Sequence, residues 1–191
     1  MSRRSSHVGQ RQDPLRARFR TRPEDAWITD HAQADHSAPD DPFHGNLVLG
    51  DPATPLATGI HRAVGGDHDA PNPGDLLCGA LAACRSGTIR RVAERMGLPV
   101  QRLSVGVTAE ADVRGTLAVG PRVPVGFQRL TARVGITVPA GTAQALVDRL
   151  REQAEHCCVV LQTLRGGGTD LRSQWTVSAD EPQRSPARHA G

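Results

Sequence analysis

Hydrophobic and polar positions along this chain change period several times, and each change marks an element. Leu15, Ala17 and Phe19 alternate with arginines, a period of two that predicts a strand. Further short strands are predicted over 26–30 and 46–50. The Asp-, His- and Pro-rich segment 31–44 and the segment 51–60 read as loops. The strongest element is a helix from Pro73 to Met96. Asn72 supplies an N-cap, Pro73 sits where its missing N–H costs nothing, and Asp75 falls at the third helical position of a capping box. Gly97 and Pro99 stop it. Such a helix runs about 36 Å at 1.5 Å per residue. Its first half, LLCGALAAC, is apolar on every side and is expected to be buried, whereas Arg90, Arg91, Glu94 and Arg95 bring the second half toward solvent.

Two long strands follow. Over 103–113 every odd position is apolar or small, which predicts a strand with one wet face. A connection over 114–124 leads to a strand over 125–138, whose apolar phase slips between Phe127 and Leu130 and predicts a bulge. A second helix is expected from an N-cap at Thr142 to just before Gly166, with Leu146, Val147, Leu150, Ala154 and Cys157 or Cys158 on one face. Periodicity does not choose between the two cysteines. A last strand covers about 170–178. This order gives an α+β fold. Residues 1–14 read as a flexible polar tail and 180–191 as a disordered one, leaving 15–179 as a single domain.

Composition narrows the chemistry. The 191 residues carry a net charge of +3, and all the basic charge is arginine, because the chain has no lysine. A lysine-bearing phosphate loop and Schiff-base chemistry are thereby excluded. Aromatics are 3% and tyrosine is absent, so the usual stacking platforms for nucleic acid are missing; no nucleic-acid partner is expected. The opening MSRRSS has a twin arginine but no apolar run after it, and no stretch approaches the ~20 apolar residues of a membrane span. The expectation is a cytoplasmic protein without a membrane partner. There, four cysteines point to reactive, metal-binding or packed thiols rather than structural disulfides. Cys78, six residues before Cys84, reads as packing. Zinc held by Cys84, His156, Cys157 and Cys158 is disfavoured, since adjacent cysteines do not easily share one tetrahedral site. Asp67, His68 and Asp69 read as a polar loop, with a proton relay as the alternative. The run Gly166–Gly168 sits after a helix and before a strand, the reverse of a dinucleotide fingerprint, and no cofactor is expected.

Two stretches resemble the OsmC/Ohr family. GGDHDAPNPGDLL at 65–77, running into ALAAC at 80–84, is similar to its glycine loop, helix-starting proline and first cysteine; VGF at 125–127 and CVVLQTL at 158–164 are similar to its third strand and second-cysteine motif. The resemblance implies an antiparallel sheet wrapped around two central helices in an intertwined homodimer, with active sites at the subunit interface. It also implies thiol-dependent reduction of organic hydroperoxides. Cys84 attacks as thiolate and becomes a sulfenic acid, Cys158 resolves it as a disulfide, and an external dithiol reduces the pair. For this the two Cα atoms must lie within about 7 Å. The chain departs from the family at one point. The glutamate that pairs with an N-terminal arginine is replaced by Gly74, with Asp75 one place on as a candidate substitute, and Arg16, Arg18 and Arg20 are equal candidates for the arginine. That departure keeps a second reading open, a redox-sensing or small-molecule-binding protein of the same fold.

Overall fold

A computed structural model describes residues 6–36, 38–167 and 170–180; the expected disordered segment from 181 onward lies outside them. The elements are α1 (His7–Thr21), β1 (Ala32–His36), β2 (Gly45–Leu49), β3 (Thr54–Thr58), α2 (Pro73–Met96), β4 (Arg102–Glu110), β5 (Arg129–Pro139), α3 (Gln144–His156), α4 (Val159–Arg165) and β6 (Asp170–Asp180), with short 3-10 turns at Pro23–Ala26 and Arg62–Val64. The strands form two three-stranded sheets, β1-β2-β3 and β4-β5-β6. The class is α+β, as expected, with one departure from an all-antiparallel pattern. β5 and β6 run parallel, because α3 and α4 form the crossover that carries the chain back along the sheet.

The second sheet is covered on one face by helices. Ile89, Ala93, Val134, Ile136, Val138, Val147, Leu150 and Ala154 make one cluster between α2, α3 and β5. Leu81, Leu130, Ala132, Cys158 and Leu161 make a second, with Cys84, Phe127 and Val160 packed against it. Both cysteines of interest lie in this second cluster.

The bounds of α2 match the sequence reading. Asn72 accepts from the backbone N–H of Gly74 and Asp75, Asp75 accepts from the Asn72 backbone N–H at 3.0 Å, and Gly97 ends the helix at φ 71°. Its burial differs from expectation. Within one chain the deeply buried positions are Leu81, Arg85, Thr88, Ile89 and Ala93, while Gly79, Ala80 and Ala83 of the apolar first half are exposed. The helices and sheet of the same chain cover one side of that half and leave the other open.

Several other expectations are corrected. Residues 15–19 lie in α1, not in a strand; positions 15 and 19 are four apart and share a helical face as well as a strand face, and Ser6 caps the helix by accepting from the Gly9 N–H. The helix also takes in residues 7–14, read above as tail. The strand expected at 26–30 is instead β1, six positions downstream inside the segment read as loop, and β3 falls inside the segment 51–60, also read as loop. The phase slip between Phe127 and Leu130 is where β5 begins, at Arg129, and is not a bulge. Thr142 does not cap α3: its hydroxyl donates to the Pro139 carbonyl at 2.6 Å, and Ala143 is the N-cap. The single helix expected there is two, broken at Cys157 and Cys158.

Candidate functional site

The break between α3 and α4 builds the site. Cys157 keeps a helical backbone and is exposed, whereas Cys158 is extended (φ −86°, ψ 102°) and fully buried. This settles which of the two neighbours faces α2. Cys158 Sγ donates to Cys84 Sγ across 3.3 Å, with both thiols free. Restarting the helix at Val159 leaves its first backbone N–H groups without intrahelical acceptors, and those of Val160 and Val159 are turned to account at Cys84.

The two thiols are pushed apart in acidity. At Cys84, burial is the largest influence and opposes ionisation. It is outweighed by hydrogen bonds from the Val160 N–H, the Cys158 thiol, the Thr88 hydroxyl and the Val159 N–H, so the pKa falls below the usual thiol value. At Cys158, burial again opposes ionisation. The Leu161 N–H and the Arg85 charge favour it, but the hydrogen bond to Cys84 and the Cys84 charge add to burial and the pKa rises. Cys84 is therefore the more acidic thiol of the pair, and Cys158 is its hydrogen-bond donor. Thr88 also accepts from Arg91 Nη2 at 3.3 Å, which leaves its own proton for the sulfur.

Asp75 is not brought to this pair. Its carboxylate accepts from the Asn72 side-chain amide at 2.7 Å as well as from its backbone, and nine residues of helix, about 13 Å of rise, separate it from Cys84. The geometry gives it a capping role. At Gly74 a Cβ would fall 2.9 Å from Asn72 Oδ1 and 3.0 Å from Phe127 Cζ, so no acid fits there without a shift. Arg16, Arg18 and Arg20 lie on α1; Arg18 pairs with Asp25 at 2.7 Å. Cys78 is half-buried, and burial raises its pKa, with the Asp75 charge adding to it. Among the described residues no group of three or more His, Cys, Asp or Glu could hold a metal ion. In the 65–72 loop, the His68 ring meets that of His61 at 4.6 Å, tilted by 48°, and Asp69 accepts from His44 Nε2 at 3.0 Å while His44 Nδ1 bonds Asp41 at 2.7 Å. Gly66 is required by close approach, since a Cβ there would fall 2.2 Å from the Ile60 carbonyl oxygen.

Sequence reasoning missed three residues around the pair. Arg85 is a charge at i, i+4 spacing from Leu81 and Ile89, on the core-facing stripe of α2; Thr88 is one turn beyond Cys84; Glu155 is three residues before Cys158. The arginine in an apolar stripe was the legible signal.

The family profile described as OsmC-like protein matches residues 66–173, more than half of the chain and the whole of this site. The chain belongs to the OsmC-like family. Solved structures agree on the fold. The OsmC-like protein of Mycoplasma pneumoniae is 15% identical, with a TM-score of 0.64 over 79% of this chain and 98% of that one. An organic hydroperoxide resistance protein of Legionella pneumophila is 23% identical, with a TM-score of 0.59 over 80% and 98%. One from Elizabethkingia anophelis is 19% identical, with a TM-score of 0.58 over 81% and 99%. No curated protein matches the chain. Among the described residues no helix is long and apolar enough to cross a membrane.

Proposed function

We propose that this OsmC-like protein reduces organic hydroperoxides by a two-cysteine cycle, with Cys84 as nucleophile and Cys158 as resolving thiol, in the cytoplasm and as a homodimer. The observation that carries the reading is the 3.3 Å separation of the two sulfurs, with the lower-pKa thiol on the less buried residue. The Cys84 thiolate attacks the distal peroxide oxygen, the O–O bond breaks, and the alcohol leaves with a proton. Cys158 then displaces water from the Cys84 sulfenic acid and forms the disulfide, which an external dithiol reduces. Structural neighbours described as organic hydroperoxide resistance proteins support the substrate class. The exposed small face at Gly79, Ala80 and Ala83, together with Leu49 at the end of β2 and Phe43 in the loop before it, 40% and 39% exposed, supports a second copy as the missing cover.

Steady-state consumption of cumene hydroperoxide with dithiothreitol tests the enzyme. Turnover well above that of free thiol, abolished in Cys84→Ser, is expected; a rate no faster than free thiol overturns it. The redox-sensing reading is favoured by Gly74, which removes the family's acid. It predicts stoichiometric disulfide formation without turnover.

A further inference from the structure

The proposed cycle leaves one buried charge without a task. Arg85 follows Cys84 on α2, and its side chain is 0% exposed. Nη2 donates to Ser173 Oγ at 2.9 Å and lies 3.6 Å from Glu155 Oε1, and the guanidinium carbon lies 5.5 Å from the centroid of the Trp175 ring. Nε and Nη1 are buried without hydrogen-bond partners among the described residues. A guanidinium held this way is costly, and an apolar side chain of similar volume would pack there at less expense. Glu155 answers the charge only in part, because its carboxylate is also engaged by Arg165 at 2.7 Å and by Trp175 Nε1 at 3.2 Å. After Glu155, the group whose negative charge most favours the guanidinium is the fully buried sulfur of Cys158, while the Arg165 charge opposes it.

We propose that Arg85 is a positioning residue that holds Cys158 as the departing thiolate when an external dithiol reduces the Cys84–Cys158 disulfide, so that the reductant attacks Cys84. The inference rests on the two-cysteine reading. Access points the same way: Cys158 is fully buried and Cys84 is half-buried. The reductant's thiolate bonds to Cys84 Sγ, the Cys84–Cys158 bond breaks, and its electron pair stays on Cys158 Sγ. The reductant's second thiol then attacks the mixed disulfide and Cys84 leaves as thiolate. Two electrons and two protons pass from the dithiol to the cysteines, and the dithiol ends as its own disulfide. In the dithiol form the Cys84 charge works against a second thiolate at Cys158. In the mixed disulfide Cys84 carries no charge, and the Leu161 N–H and Arg85 remain to favour the Cys158 thiolate. A better leaving thiol departs faster.

The test uses the full chain with its disulfide formed by diamide, which makes it independent of any peroxidase activity. In stopped-flow reduction by dithiothreitol, Arg85→Met slows disulfide cleavage about tenfold more than it slows peroxide oxidation of the reduced form, and Arg85→Lys restores most of the loss. Equal slowing of both steps, or no slowing of reduction, overturns the proposal. For a readout independent of the variants' folding, the wild-type disulfide is opened with 2-mercaptoethanol and acid-quenched. The mixed disulfide is expected on Cys84, and its appearance on Cys158 overturns the assignment. Loss of peroxide turnover with this asymmetry intact would count against the peroxidase reading alone.

Discussion

The sulfurs of Cys84 and Cys158 lie 3.3 Å apart although 74 positions separate them in sequence. Forming a disulfide requires them to close to ~2.05 Å, a movement of one side-chain rotation rather than of a helix. One equivalent of hydroperoxide is therefore expected to lower the intact mass by two hydrogens and to yield a Cys84–Cys158 peptide cross-link. Cys158→Ser should stop at a sulfenic acid trapped by dimedone, and Cys84→Ser should give neither product. A cross-link through Cys78 or Cys157 would reject the pairing.

Thr88 contributes one of the hydrogen bonds that lower the Cys84 pKa. The rate of peroxide attack should rise with pH as the thiolate fills and level off above the folded pKa, which lies below the ordinary thiol value of 9.0. Thr88→Val keeps the shape and removes the donor. It should move the profile to higher pH and lower the rate at neutral pH by about threefold to tenfold, since one pKa unit is a factor of about ten in thiolate fraction. The plateau at high pH should stay close to wild type. Stopped-flow rates between pH 5 and pH 10 check this.

Gly74 stands where the family's glutamate would be, and helix propensity alone favours Ala over Gly by about 1 kcal/mol. Here a new Cβ meets Asn72 Oδ1 at 2.9 Å, so the cap has to move. A lost N-cap costs about 1–2 kcal/mol, which outweighs the gain. Gly74→Ala and Gly74→Glu are expected to lower the urea midpoint, with no rise in peroxidase rate from the added carboxylate. A stabilised Gly74→Glu with faster turnover would show that the loop accepts the family's pair.

Ala80 is exposed on the open face of α2 in the single chain. A glutamate there costs little in a monomer, but in a paired interface it would bury an unpaired charge. Sedimentation equilibrium should find the wild type at twice the 20.3 kDa chain mass and Ala80→Glu at the chain mass. A monomeric wild type at micromolar concentration would refute the homodimer.

His44 ties the first sheet to the loop before α2 through Asp41 and Asp69. Its pKa is raised chiefly by the hydrogen bond to Asp41 and then by that to Asp69. Its stabilising effect is fully present below the ordinary histidine value of 6.5 and is lost as pH rises through the folded value. Proton NMR of the ring should show His44 titrating above 6.5, with Asp41→Asn and Asp69→Asn each lowering it. No change in either variant would reject the tie.

Local rules determined much of this protein before any packing was considered. The bounds of α2 follow from Asn72, Pro73, Asp75 and Gly97, because caps act through neighbours within one turn. The alternation that places β4 and the Cys84 and Cys158 motifs is likewise written in short windows of sequence. Tertiary structure decided what those windows leave degenerate. Residues 15–19 fit a helical and a strand face equally, and β1 and β3 are short, mostly exposed strands that gain their ladder bonds from β2 rather than from a buried face. Cys157 and Cys158 share one helical periodicity, and the choice fell to the break that turns Cys158 inward against α2. The hydrogen bonds that lower the Cys84 pKa, and the influence of the buried Arg85 charge on Cys158, come from α2 and α4 meeting over one sheet. Acidity depends on distance in space and on burial, neither of which is fixed by position along the chain.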